Sequence, residues 1–305
     1  MRFNSCTSMA SVDATQSAAI RRRALLGLPM LGLASLAGVW PSSAMAVPSN
    51  GSLVQMPDGR LLSPDIARIV DRGELVVGML KVDTPPFFMF DSQGQWMGLE
   101  VDLALSIAKA LGVKLRINRD AGTFNAVVDM LARGEADLAI SKLSRTLARS
   151  QTIAFSNPYL TLNHALLINR VKLAQLAHGR HLPEVVRSFE GSIGVIEKSS
   201  FADYAKTNFP MAKIEEMSTW NAVLAAVYRG DVTAAYRDEF EVKSVLKKDP
   251  SASLVLRTAT LKDLQDTLGV GVSVADSTLL AFVNAFLEQR TEKLDVNKVL
   301  QALSI

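Results

Sequence analysis

Residues Phe124–Ile140 read FNAVVDMLARGEADLAI, and residues Trp220–Tyr236 read WNAVLAAVYRGDVTAAY. Laid together, the two stretches are identical at Asn125/Asn221, Ala126/Ala222, Val127/Val223, Arg133/Arg229, Gly134/Gly230 and Ala139/Ala235. An aromatic residue opens each copy. The apolar spacing of each first half is that of an amphipathic helix, the glycine is a helix stop, and the apolar tail is a short buried strand. Both strands run straight into polar loops, SKLSRTLAR at Ser141–Arg149 and RDE at Arg237–Glu239. The first loop offers Arg149 and hydroxyl groups, suited to a carboxylate. The second offers Asp238, suited to an ammonium group. Two similar helix–strand units ending in opposite charges point to two lobes facing one cleft. A ligand carrying both charges is an amino acid.

The rest of the chain repeats the same alternation. Asp65–Arg72 reads as a short helix stopped by Gly73, and ELVVGML (Glu74–Leu80) as a buried strand. Pro85 and Pro86 exclude helix from DTPPFFMF. Glu100–Leu111 carries a broad apolar face and ends at Gly112, and Val113–Ile117 follows as a strand. Tyr159–Asn169 reads as a strand leaving the first unit, and GSIGVIEKSS (Gly191–Ser200) opens a second one. Ser199 or Ser200 caps a helix running to Asn208, and Ser218 is expected to cap the helix Trp220–Arg229. Asp266–Val274 reads as a strand returning to the first unit, followed by helices from Ser277 to Ala302. This alternation predicts an α/β protein. Its first lobe is discontinuous, residues 64–162 plus 264–305, and its second lobe is residues 163–263. The two crossings between them form a two-strand hinge.

Charge and composition narrow the function. Hydrophobic residues make up 49% of the 305, and charged residues 21%, as in an ordinary globular protein. Arg21-Arg22-Arg23 precedes the apolar, Gly-interrupted run Ala24–Trp40, and SSAMA (Ser42–Ala46) follows. This is an export signal cleaved near Ala46, of twin-arginine type by its paired arginines, with an ordinary Sec signal as the alternative. Residues 47–63, rich in Pro, Gly, Ser and Asp, read as a flexible leader. Without residues 1–46 the chain holds 29 basic and 29 acidic residues, with no basic stripe of the kind nucleic acid requires. The only cysteine, Cys6, lies in the segment removed, so the exported fold rests on its core.

These residues resemble the periplasmic amino-acid-binding proteins of ATP-driven importers, the solute-binding proteins of family 3. The resemblance spans about Leu75 to Glu288. It is strongest over GEADLAISKLSRTLARSQTIAFSNPY (Gly134–Tyr159), with its Asp-containing strand, Ser-rich loop, Thr and Arg pair and Phe-Ser-x-Pro-Tyr ending. It implies the type II periplasmic-binding-protein fold and a monomer. It implies an amino-acid ligand, acidic or polar by preference, handed to an inner-membrane ABC permease, with no cofactor. The family's carboxylate-binding arginine falls on Arg149, its loop hydroxyls on Ser141 and Ser144, its stacking aromatic on Phe124, its helix-capping hydroxyl on Ser200 and its ammonium-binding acid on Asp238. The chain departs from the pattern at Thr84, where some members carry an aromatic, and at Lys81, where some carry an acid. Lys198 stands where glycine is common, and Lys142 adds charge to the first loop. Lys81, Lys142 and Lys198 therefore count as candidate ligand contacts that disfavour a cationic solute.

Other chemistries find less support. HGRH (His178–His181) has no second cluster to complete a metal site. Ser141 and Ser144 lack nucleophile-elbow glycines, and no phosphate-binding glycine loop is present. The resemblance does carry one enzymatic alternative, the cyclohexadienyl dehydratases. These would need a general acid near the cleft, for which Glu197 and Glu239 are the candidates.

Overall fold

The computed structural model describes residues 52–303. The export signal and its cleavage point lie outside the described residues.

The first lobe is built on a five-stranded sheet. Strand β1 (Glu74–Leu80) lies parallel to β2 (Lys114–Ala121) on one side and to β3 (Leu138–Ala139) on the other. Strand β4 (Ala154–Phe155) forms the far edge; β5 (Leu160–Asn169) then leaves for the second lobe. That lobe's sheet holds β6 (Ser192–Ile196), β7 (Lys213–Met217) and β8 (Ala234–Asp238), with β6 parallel to both others. Strand β9 (Leu256–Leu268) pairs antiparallel with β5, and β10 (Gly271–Val272) re-enters the first sheet between β3 and β4. The orders are β2-β1-β3-β10-β4 and β7-β6-β8-β5-β9. Each sheet thus has a parallel trio extended by antiparallel strands, as expected of two related halves.

The repeated stretch is the repeated element. Helix α3 (Phe124–Ala132) leads to β3 in the first lobe, and α7 (Trp220–Arg229) leads to β8 in the second. The likeness extends one residue upstream: Thr123 and Thr219 each accept a hydrogen bond from the backbone N–H three residues on, capping their helices. The cap of α7 is therefore Thr219, one residue after the expected Ser218. Its extended backbone and aligned hydroxyl decide this, not residue type. Strand β1 is buried almost throughout, as a continuous apolar run in a helix-covered sheet must be, and β8 is buried throughout although it ends in Arg237 and Asp238. Helices α1 (Pro64–Arg72), α2 (Leu99–Leu111) and α9 (Ser277–Gln289) complete the first core with Ile69, Leu103, Ile107 and Val283. The second sheet has apolar clusters around Phe189 and Tyr236 and around Val223 and Val242.

Strands β5 and β9 pair from Leu256↔Asn169 to Leu268↔Leu160, with an irregularity between Leu261 and Gln265. They carry the chain out and back, so the lobes meet along two paired strands. One expectation is corrected here. Within the stretch read as a flexible leader, Val54–Gln55 pairs antiparallel with Leu61–Leu62. Pro57-Asp58-Gly59 makes the turn, with Gly59 at φ 85.

Candidate functional site

The ends of β3 and β8 and the start of α6 (Ser200–Asn208) converge between the lobes. Arg149, in a single 3₁₀ turn after β3, is buried. Its guanidinium donates to neutral oxygens only, Asn125 Oδ1 (3.0 and 3.2 Å) and the Ser144 carbonyl (3.1 Å). Among the described residues no carboxylate forms an ion pair with it. Burial without such a partner pulls its pKa down.

Ser144 Oγ lies 2.8 Å from Ser200 Oγ, joining the lobes, and donates to Asp266 Oδ2 at 2.9 Å. Asp266 belongs to β9, is 2% exposed, and its other oxygen has no hydrogen-bond partner. Burial, reinforced by the nearby Asp238 carboxylate, raises its pKa to about 7. Ser199 caps α6, accepting from Ala202 N, so the first turn of the helix faces the same space.

Lys142 carries the next feature. Its backbone is left-handed at φ 48, and its N–H is held by both Glu100 carboxylate oxygens at 2.8 and 3.0 Å. The side chain crosses to the second lobe, where Nζ donates to Asp238 Oδ2 at 2.8 Å and Glu241 Oε1 at 2.7 Å. It also stands over the rings of Phe87 and Phe240. Asp238 Oδ1 accepts from Glu241 N and caps α8 (Glu239–Lys248). Both Asp238 oxygens are engaged, and the ammonium site expected there is filled by Lys142.

Arg237 precedes Asp238 on β8. Its guanidinium lies between Phe124 and Trp220, 5.6 and 5.5 Å from the ring centroids. These are the aromatic residues that open the two copies of the repeat. The nearest carboxylate oxygens, Asp238 Oδ2 and Glu241 Oε1, are 3.8 and 3.9 Å away, outside hydrogen-bond reach. Arg237 separates two spaces. Inside it, among Lys142, Ser144, Arg149, Ser200 and Asp266, is a void of about 10 Å³, room for about one water. Outside it is a cleft of about 360 Å³, lined by Thr84, Phe124, Glu197 and Trp220 among others. A hollow of similar size, about 390 Å³ between Asn157–Thr161 and Leu287–Asp295, contains no buried charged residue.

The remaining candidates are placed as follows. Arg149, Ser144, Ser200, Phe124, Lys142 and Asp238 share the inner space, and Thr84 lines the outer cleft. Ser141 is buried below the site, where its Oγ accepts from Leu80 N at 2.9 Å. Lys81 and Lys198 are exposed and line neither space. Lys198 sits at φ 52, a conformation glycine adopts without strain, so its tie to a glycine position is one of backbone shape. Glu197 stands at the mouth of the cleft, whereas Glu239 turns to Asn163 and Lys243. The sequence reading missed Arg237, Trp220, Glu241 and Asp266 as site residues. Trp220 and Arg237 had a signal in their places within the repeat; Asp266 had none.

Comparison with known proteins agrees with this fold. The model of the bacterial extracellular solute-binding proteins, family 3, matches residues 75–302. The chain is 27% identical over 209 residues to the lysine/arginine/ornithine-binding periplasmic protein of Escherichia coli (strain K12), covering 66% of this chain and 76% of that one. Its identity to the glutamine-binding protein of Geobacillus stearothermophilus is 25% over 226 residues, 70% of this chain and 85% of that one. It is also similar to the crystal structure of an ancestral amino-acid-binding protein described as a precursor of cyclohexadienyl dehydratase. There the TM-score is 0.62 at 25% identity, covering 77% of this chain and 97% of that one. The two-lobed α/β architecture, the converging loops and the family match together place this chain among the bacterial extracellular solute-binding proteins of family 3.

Proposed function

We propose that the protein is an exported, non-enzymatic binder that captures a small carboxylate-bearing solute, of the size of an amino acid, in the cleft between its lobes. It then presents the solute to an ABC permease. The observation that carries this reading is Arg149. A buried guanidinium bonded only to neutral oxygens is poorly compensated, and an arriving carboxylate would supply the missing charge in a bidentate geometry. Ser144 and Ser200 stand beside it with hydroxyls that can rotate toward the same carboxylate. The relatives that bind amino acids give the size of solute. An acidic or polar solute is favoured over a cationic one because Arg149 and Arg237 line the inner space and Lys142 already occupies Asp238.

The test is a thermal-shift screen of amino acids and small carboxylic acids against the chain beginning near Val47. A solute at about a hundred times its Kd should stabilise by about 2.7 kcal/mol. Arg149→Ala should weaken the best solute by about a hundredfold or more, since the carboxylate would lose a buried charge-assisted partner. Unchanged affinity in that variant would refute the reading. One observation favours a second reading: Asp266 lines the inner space beside Arg149 and Ser144, and burial keeps its carboxyl toward the neutral form a general acid needs. Formation of phenylpyruvate from prephenate, or of phenylalanine from arogenate, above the rate without protein would establish that reading; stable substrate supports binding alone.

A further inference from the structure

The acid expected to hold a solute ammonium at the cleft, Asp238, is already neutralised. Lys142 Nζ bonds both Asp238 and Glu241, at 2.8 and 2.7 Å, whereas Glu197 on the outer cleft and Asp266 inside form no ion pair among the described residues. The Lys142 and Asp238 side chains are each 2% exposed, so this is a dry ion pair. Helix α8 uses the remaining Asp238 oxygen as its cap. A solute ammonium seeking Asp238 would have to displace a tethered ammonium from it, a contest the tethered group wins by its high effective concentration. Asp83, at the outer mouth, is paired with Arg119.

The cations divide differently. Lys142 is held by the acids, Arg149 meets only neutral oxygens, and Arg237 forms only long ion pairs with Asp238 and Glu241, at 3.8 and 3.9 Å, that leave its hydrogen-bond donors unused. Both guanidinium groups line the same inner space, one from each lobe. Arg237 lies against the rings of Phe124 and Trp220, lines both the inner space and the outer cleft, and its guanidinium donates no hydrogen bond among the described residues, so its fork is free for a solute carboxylate.

Resting on the capture reading above, we propose that Lys142 is a resident ammonium standing where the amino group of a zwitterionic solute would sit. The solute is then an anionic organic acid, and Arg237 receives its second carboxylate while Arg149 holds the first. The class is a short dicarboxylate, for which an α-amino group adds desolvation with no free acceptor, Asp238 being occupied by Lys142. Asp266 fits the same assignment, because a carboxyl kept toward its neutral form by burial can donate to a solute oxygen.

The test is calorimetric titration with pairs that share a carbon skeleton and differ in the α-ammonium: succinate with aspartate, glutarate with glutamate, propionate with alanine. Succinate and glutarate should each bind at least about tenfold tighter than the matching amino acid, and propionate tighter than alanine. Arg237→Gln should weaken the diacids by about tenfold or more while changing propionate by less than about threefold. Lys142→Met, if it folds, should bring the amino acids up to or above the diacids; Arg237→Gln leaves the ion pair intact and keeps the test decisive if it does not fold. Amino acids binding tighter than diacids, with affinity still dependent on Arg149, would overturn this inference and leave the capture reading standing. No binding of any acid, in the wild type or with Arg149→Ala, would overturn both.

Discussion

At the scale of single residues, the site is defined by which charges have partners. Arg149 has none of opposite sign, Lys142 has two, and Asp266 is an acid whose second oxygen is orphaned. The last has a consequence for stability. A carboxyl with pKa about 7 when folded and an ordinary 3.8 when unfolded binds more protons in the folded state between those values. Stability from this group is therefore full below about pH 4 and is lost as pH rises through about 7. Asp266→Asn should gain in Tm relative to wild type as pH goes from 5 to 8, each 1 kcal/mol appearing as about 2–4 °C. Glu100, also raised to about 7 by burial, and His164, held down to about 4 by burial, remain in both proteins, so the difference between them isolates Asp266. A Tm difference that does not change with pH would contradict the assignment. At this scale the sequence was partly legible. Arg149, Ser144, Ser200 and Phe124 could be read from one loop and its neighbours. Asp266 could not, because it meets Ser144 across 122 positions. Nor could the Lys142 ion pair, since a lysine in a loop carries no mark of its direction.

At the scale of elements, helix ends decide where the chain can turn into the cleft. Helix α2 starts without a side-chain cap. Its first N–H groups, of Leu99 and Glu100, donate instead to the Pro86 and Phe87 carbonyls at 3.0 and 2.9 Å. This brings the backbone so close that Gly98, at φ 126, would place a Cβ 2.4 Å from the Phe87 carbonyl oxygen. Gly98→Ala should thus destabilise by about 3 kcal/mol in denaturant titration, combining strain with a clash against backbone. Gly73→Ala, at the left-handed end of α1 with nothing within 4 Å of the new Cβ, should cost about 1 kcal/mol. Equal costs would show that close approach is not what fixes Gly98. Elements whose ends carry glycine or an apolar run were legible, as in α1, α2, α3 and β1. The hairpin inside the leader and the full length of β9 were not. Strand β9 spans Leu256–Leu268 with little full burial and many polar residues, so its sequence lacks the apolar run that marked the others.

At the scale of the whole molecule, two sheets of matching order face each other, and the repeated helix–strand unit delivers one polar loop from each to the same place. The duplication explains why the aromatic residues Phe124 and Trp220 meet around Arg237. It also explains why a carboxylate-seeking loop and an acid-bearing loop are opposed. Contacts across the cleft, Ser144 with Ser200 and Lys142 with Asp238, hold the lobes together at the base and leave the wider cleft outside Arg237. Arg237 lines both that cleft and the inner space that holds Arg149, which puts the two arginines on one path into the site. The most direct measurement is a crystal structure of the protein with the tightest-binding acid from the titrations. A carboxylate of that acid should lie within hydrogen-bond distance of the Arg149 guanidinium, with Lys142 still on Asp238. A solute bound away from Arg149, or an amino group seated on Asp238 with Lys142 displaced, would contradict the account.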